Sequence, residues 1–186
     1  MSSIKPVFRP SDYPGEPDEQ TRQDLADLFE TLMPGVAEPE IDGPHTGMAI
    51  AAHSPKFALN LSKLTGCVAL SLPWCERRDL MELAIQAVNL HFKCEFSFET
   101  RMPYAASTGI GMERLAALPL WRTSALFDDE QRLVIEYANA VVTGDVPEEL
   151  SQRAVAHFGE RGTVEMTAVI GTFSLWAMLI NSARPG

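Results

Sequence analysis

The chain has 186 residues, 46% of them apolar and 22% charged, which is the make-up of a soluble globular protein with length for one sizeable core. Its formal net charge of −10 excludes nucleic acid and anionic membrane surfaces as natural partners, because phosphate binding needs Lys and Arg to displace counterions; the acidity serves solubility. Cys67, Cys75 and Cys94 are too few and too irregularly spaced for a secreted disulfide framework, and no Cys-x-x-Cys is present for zinc or thioredoxin-type chemistry.

Residues 1–18 hold Pro6, Pro10, Pro14 and Pro17, and proline lacks an amide donor and restricts its predecessor, so the start is an extended arm, either loose or wrapped on a neighbouring subunit. The N-terminal Met1-Ser2-Ser3-Ile4-Lys5-Pro6 carries no apolar run of the signal-peptide kind, and a cytoplasmic location is expected. From residue 19 to 186 a single helical domain is expected. Leu25, Leu28, Phe29 and Leu32 form an i, i+3, i+4, i+7 stripe that predicts a helix from about Glu19, stopped by Pro34-Gly35. A second helical run extends from Met48 to Gly66, broken or kinked at Pro55.

Ser71-Leu72-Pro73 marks the next boundary. Helix is predicted from Cys75 through Leu90, and again past Cys94 to Arg101, with Pro103 limiting it. A short helix follows over Met112 to Leu118. Asp128 with Gln131 three residues on predicts an N-capped helix running to Gly144. Pro147 opens a helix that Gly162 ends, and a last helix fills 163–182. Its apolar stretch, Met166 to Ile180, is interrupted by Thr167, Gly171, Thr172 and Ser174, and is shorter than the roughly 20 apolar residues of a membrane span. It predicts a buried helix or subunit contact instead. No segment alternates in the manner of a strand, so the fold class is all-α, a bundle of six to eight helices.

Chemistry concentrates between residues 78 and 101. Arg78, Glu82, Gln86 and Asn89 lie four, four and three apart, a polar stripe on a helix otherwise lined with Leu80, Leu83, Ala84, Ile85, Ala87 and Val88. A carboxylate there is costly to desolvate unless it is paired or protonated. The plain alternative is an i, i+4 ion pair between Arg78 and Glu82. Cys94, Ser97 and Arg101 share a second helical face. A helix break before Cys94 would put its thiol at a helix N-terminus, where backbone amides and the neighbouring Lys93 favour the thiolate, although Leu90-His91-Phe92-Lys93 has no Gly or Pro to force one. Simple packing is the alternative for Cys94, and is the reading for Cys67 and Cys75. Arg101 cannot serve as an acid or base, but clamps a carboxylate or oxyanion; its alternative is a surface partner in Glu95 or Glu99. His91, three residues before Cys94, is a candidate proton carrier. The histidines make no metal-ligand spacing, and Gly109-Ile110-Gly111 lacks the strand and Gly-Lys-Ser/Thr of a phosphate loop.

The Glu82–Cys94–Ser97–Arg101 segment resembles the core of the carboxymuconolactone decarboxylase-like and alkyl hydroperoxidase D-like superfamily. Redox members of that family carry a Glu twelve residues before the first Cys of a Cys-x-x-Cys-x-x-x-His; here Glu82 and Cys94 match, Ser97 stands for the second Cys and Arg101 for the His. His45-Thr46-Gly47-Met48, Leu72 to Arg78, and Val164 to Asn181 are similar to other parts of the family pattern. The resemblance implies an all-α fold and a homo-oligomer, whether dimer, trimer or hexamer. With no Cys at 97, the disulfide cycle of the redox members is closed to this segment.

What the resemblance implies is an enzyme without metal or cofactor, acting by acid–base and electrostatic catalysis on a small anionic organic acid or lactone. In that expectation Glu82 moves protons, Arg101 holds negative charge, and Cys94, Ser97 and His91 supply hydrogen bonds or a proton, all around one hollow. The alternatives are a thiol peroxidase using Cys94 and a non-catalytic binding or assembly protein.

Overall fold

Eight α-helices and no strand make up the residues described, 4–183, of the computed structural model, so the all-α expectation holds. The first three residues of the proline-rich arm and the last three of the chain lie outside them. The chain folds as two compact units, Met1–Gly66 with Leu179–Gly186, and Cys67–Met178.

In the first unit, α1 (Glu19–Leu32) begins where Asp18 accepts the Thr21 amide at 2.7 Å, a side-chain N-cap, and stops ahead of Pro34-Gly35 as the sequence predicts. α2 (Thr46–Ala51) and α3 (Pro55–Gly66) are the two pieces of the run broken at Pro55, which takes the start of α3, where its missing N–H costs nothing. α1 packs on α3. Leu25, Phe29, Ile41 and Ala49 form a buried cluster, with Phe8, Tyr13, Leu32, Met33 and Met48 against it. The proline-rich arm is extended except for a 3-10 turn at Pro10–Asp12, and it is tied down: Val7 is fully buried and donates its amide to Ala49 O at 2.8 Å, and Phe8 O accepts from Ile41 N at 2.9 Å.

The second unit opens with a single π-helical turn, Cys67–Ser71, and a 3-10 turn, Pro73–Glu76. Then come α4 (Arg78–His91), α5 (Glu95–Ser107), α6 (Met112–Ala117), α7 (Asp129–Val141) and α8 (Glu148–Ala183), the end of α8 belonging to the first unit. α4 is the axis of this unit: every residue from Leu80 to Asn89 is buried, and it packs on α5 and α7. Each buried Leu, Ile, Val or Met there contributes about 1.5–3 kcal/mol, which fixes the helix firmly enough to hold polar groups out of water. α7 starts at the expected cap, with Asp128 accepting from Gln131 N at 2.8 Å and Gln131 reaching back to Asp128 N.

Two expectations are corrected. Pro103 lies inside α5 without ending it. The interruption of the last helical stretch falls at Gly159 and not at Gly162: Gly159 has φ 72° and ψ 169°, a region that only glycine occupies without strain. Gly162 serves close packing instead, since a Cβ there would stand 3.0 Å from Phe158 Cβ and 3.7 Å from Trp74 Cδ1. Among the described residues α8 is the one helix long and apolar enough, by length and composition, to cross a membrane; 61% of its apolar stretch is buried within the protein.

Candidate functional site

α4 ends in a Schellman motif, and that motif builds the site. Lys93 takes φ 52°, Cys94 N donates to Asn89 O at 2.8 Å, and Lys93 N donates to Leu90 O at 3.1 Å. Glycine usually holds this left-handed position; here an exposed lysine does. The chain therefore turns without Gly or Pro, and Cys94 becomes the N-cap of α5. α5 folds back on α4, so that the face carrying Ser97 and Arg101 meets the polar stripe of α4.

Glu82 is fully buried. Its partner is Arg101, nineteen residues on: Nε donates to Oε1 at 3.1 Å and Nη2 to Oε2 at 2.5 Å, a two-pronged grip on the carboxylate. Gln86 Nε2 also donates to Glu82 Oε1 at 3.2 Å and to Phe98 O at 3.3 Å, and Asn89 Nδ2 donates to Gln86 Oε1 at 3.2 Å. The stripe read from the sequence is thus a buried hydrogen-bonded chain from the Schellman turn to the ion pair. Both oxygens of the buried carboxylate therefore have donors, as a polar group held out of water requires.

The simple alternatives for both charges are not what the fold adopts. Arg78 turns away from Glu82 and donates to Ala69 O, and Arg101 spends itself on Glu82 and not on Glu95 or Glu99. The Arg101 guanidinium carbon lies 5.3 Å from the Tyr104 ring centre and 5.1 Å from that of Phe173, and the side chain stays 25% exposed. Two aromatic faces thus steer the cation, and part of the side chain still meets solvent. Its Nη1 has no partner among the described residues.

Cys94 is placed as the conditional reading required, at a helix N-terminus, but it is only 1% exposed. Burial pushes the thiol up, against a smaller opposite pull from the Ser97 backbone amide. Lys93 does not offset this, its own side chain being exposed. Ser97 is buried with Cys94, one turn into α5. His91 is not brought in: it is exposed, its ring packed edge-on against Phe92 at 5.0 Å. Glu82 and Arg101 are joined directly, Ser97 and Cys94 lie about one and two turns before Arg101 along α5, and His91 stands apart. No group of three or more His, Cys, Asp or Glu able to hold a metal ion occurs among the described residues.

Phe173 had no local signal in the sequence, since it reaches Arg101 from α8. A second buried carboxylate lies outside the segment that the sequence pattern singles out. Glu165, on α8, accepts from Trp74 N at 2.9 Å and Arg161 Nε at 2.7 Å. Burial raises it, yet those donors carry it below the ordinary carboxylate value. A charge inside an apolar helical run was the available clue.

The chain is 38% identical over 128 residues to the uncharacterized protein YnjA of Escherichia coli (strain K12), a match spanning 62% of this chain and 68% of that protein. No protein-family profile matches the chain, and no solved structure does.

Proposed function

The chain belongs to the same family as YnjA of Escherichia coli, and from the resemblance of its own Glu82–Cys94–Ser97–Arg101 segment we propose that it is a cofactor-free acid–base enzyme of the carboxymuconolactone decarboxylase-like type, acting on a small anionic organic acid or lactone. The observation that carries this is the fully buried Glu82 held two-pronged by an arginine whose side chain stays 25% exposed and whose Nη1 is not used in that grip. A substrate carboxylate arriving on Nη1 between Tyr104 and Phe173 shares the guanidinium's charge with Glu82. The grip on Glu82 slackens, and Glu82 becomes the group placed to take a proton from the substrate anchored beside it. Water is excluded on the α4 side, which strengthens each of these charge interactions. Gln86 and Asn89 keep the carboxylate aimed throughout. Ser97 and Cys94, both buried on α5, supply hydrogen bonds; exposed and remote, His91 has no step in this scheme.

The peroxidase alternative draws support from the N-cap position of Cys94, but burial works against a reactive thiolate there. The resemblance also supports a homo-oligomer, for which exposed Val164 and Met178 of α8 offer apolar surface.

Thermal shift against a panel of small carboxylates and lactones tests the reading. A ligand at 100-fold its Kd stabilises by about 2.7 kcal/mol, and that shift should vanish in Arg101→Lys, whose point charge cannot grip two carboxylates. With a hit in hand, Glu82→Gln should bind it and not turn it over. A panel without any stabilising anion overturns the site; binding without turnover by the wild type leaves a ligand-binding protein and overturns the enzyme.

A further inference from the structure

The π turn at Cys67–Ser71 has an unusual pair of clamps. Val68 O accepts the Cys75 thiol at 2.5 Å, and the next carbonyl, Ala69 O, accepts from the Arg78 guanidinium. Single π turns are rare and gather at functional positions, because their backbone has a ready alternative in ordinary helix. Val68 follows Cys67 directly, so the Cys75 sulfur rests one peptide from the Cys67 backbone, and the π turn and the 3-10 turn carrying Cys75 pack together. The Cys67 thiol is close enough to act electrostatically on that of Cys75, and disulfides form where two α-carbons approach within about 4.4–6.8 Å.

The two thiols are unlike. Cys67 is exposed, whereas Cys75 is 1% exposed. Burial pushes Cys75 up to about 11, with Arg78 pulling the other way. An accessible thiol beside a protected one is the arrangement of an attacking and a resolving cysteine.

We propose that Cys67 and Cys75 are a reversible redox pair, oxidised by hydroperoxides to an intramolecular disulfide, separate from the Glu82–Arg101 site. The Cys67 thiolate attacks one peroxide oxygen; an S–O bond forms, the O–O bond breaks, and the other oxygen leaves with a proton as an alcohol or water. Cys75 then attacks the Cys67 sulfenic sulfur. The S–S bond forms, the S–O bond breaks, and hydroxide leaves with the Cys75 proton as water. Two electrons, one from each sulfur, have reduced the peroxide, and a dithiol reductant reverses the change. Closing the bond turns the Cys67 side chain in from solvent and strips Val68 O of its S–H donor, so oxidation remodels the π turn. The high Cys75 value makes resolution slow at neutral pH, which suits a switch more than a turnover cycle.

The full-length protein, treated with hydrogen peroxide, then denatured and labelled with a maleimide, gives the test by intact mass and peptide mapping. Reduced protein carries three free cysteines and takes three labels. The oxidised protein should take one, on Cys94, and regain all three after dithiothreitol. Cys67→Ser, altering only an exposed side chain, should keep both remaining thiols labelled after peroxide. Cys75→Ser should trap a dimedone-reactive sulfenic acid at Cys67. Three labels after peroxide, irreversible over-oxidation of Cys67 in the wild type, or a disulfide joining two chains would each overturn the pair.

Discussion

Arg101→Ala isolates the interaction on which the site depends. It strands Glu82, fully buried, with Gln86 as its remaining donor. Removing one partner of a buried ion pair costs about 3–5 kcal/mol, chiefly because an uncompensated charge is left in the interior. Arg101 is itself 25% exposed, so water already reaches one side of the pair, which places the expected cost near the lower end, about 3 kcal/mol. For a chain of this length each kcal/mol moves Tm by about 2–4 °C, so a fall of about 6–12 °C is expected. Glu82→Gln should cost less, about 1–2 kcal/mol: the amide still accepts from Arg101, and the arginine keeps its partial exposure to water. The double variant removes the stranded charge altogether and should fall short of the sum of the singles by about 2 kcal/mol. Urea unfolding of the four proteins, with slopes m compared to exclude a change in the unfolded state, closes the cycle. If Arg101→Ala sits within about 0.5 kcal/mol of the parent, or the two single costs add, Glu82 is not held as a buried pair and the reasoning fails.

Three further outcomes follow from the same geometry. Gly159→Ala forces an L side chain into φ 72°, ψ 169° and should cost about 1–3 kcal/mol in urea unfolding; an unchanged midpoint would mean that the α8 kink is not where it stands. Glu130 and Glu165 both lie below the ordinary value of 4.5, Glu130 chiefly through Arg77 and Glu165 through the Trp74 amide and Arg161 against burial, so the folded state binds fewer protons than the unfolded. Their stabilisation is present above pH 4.5 and is lost as pH falls through the depressed folded values; the double Gln variant should therefore flatten the acid limb of the stability curve, and a limb of unchanged steepness refutes this. Native Cys94 should resist iodoacetamide at pH 7 and react at the free-cysteine rate in urea, whereas rapid labelling of the native thiol would show that burial does not control it.

How far the sequence discloses this protein depends on where each cause resides. Causes lying within a few residues of their effect are readable: Pro34-Gly35 stops α1, Pro55 divides α2 from α3, and Asp128 with Gln131 caps α7. The stripe Glu82–Gln86–Asn89 is readable too, because 3.6-residue periodicity alone sets three polar groups among buried neighbours. What cannot be read is the choice among equivalent local options. Gly159 and Gly162 are three residues apart and equally able to adopt a positive φ; Phe158 and Trp74, packed against Gly162, leave the break to Gly159. Lys93 carries no breaker's signature, yet the ladder of α4 closes through it because burial from Leu80 to Asn89 fixes where that helix must end. The site inherits this dependence. Glu82 has a cation four residues before it and another nineteen after, and sequence spacing favours the first. The Schellman turn decides for the second, since it reverses the chain so that α5 lays Arg101 on the carboxylate while the π-turn carbonyl of Ala69 draws Arg78 away. One left-handed lysine thereby settles which arginine faces the buried acid. Lys93→Gly, which removes the strain and keeps the turn, should accordingly preserve the Glu82–Arg101 pair and raise stability by about 0.5–1 kcal/mol. Lys93→Val, whose branched side chain resists positive φ, should lower stability and weaken the pair together; a valine variant with the full Arg101–Glu82 coupling energy would show that the turn is not what selects the partner.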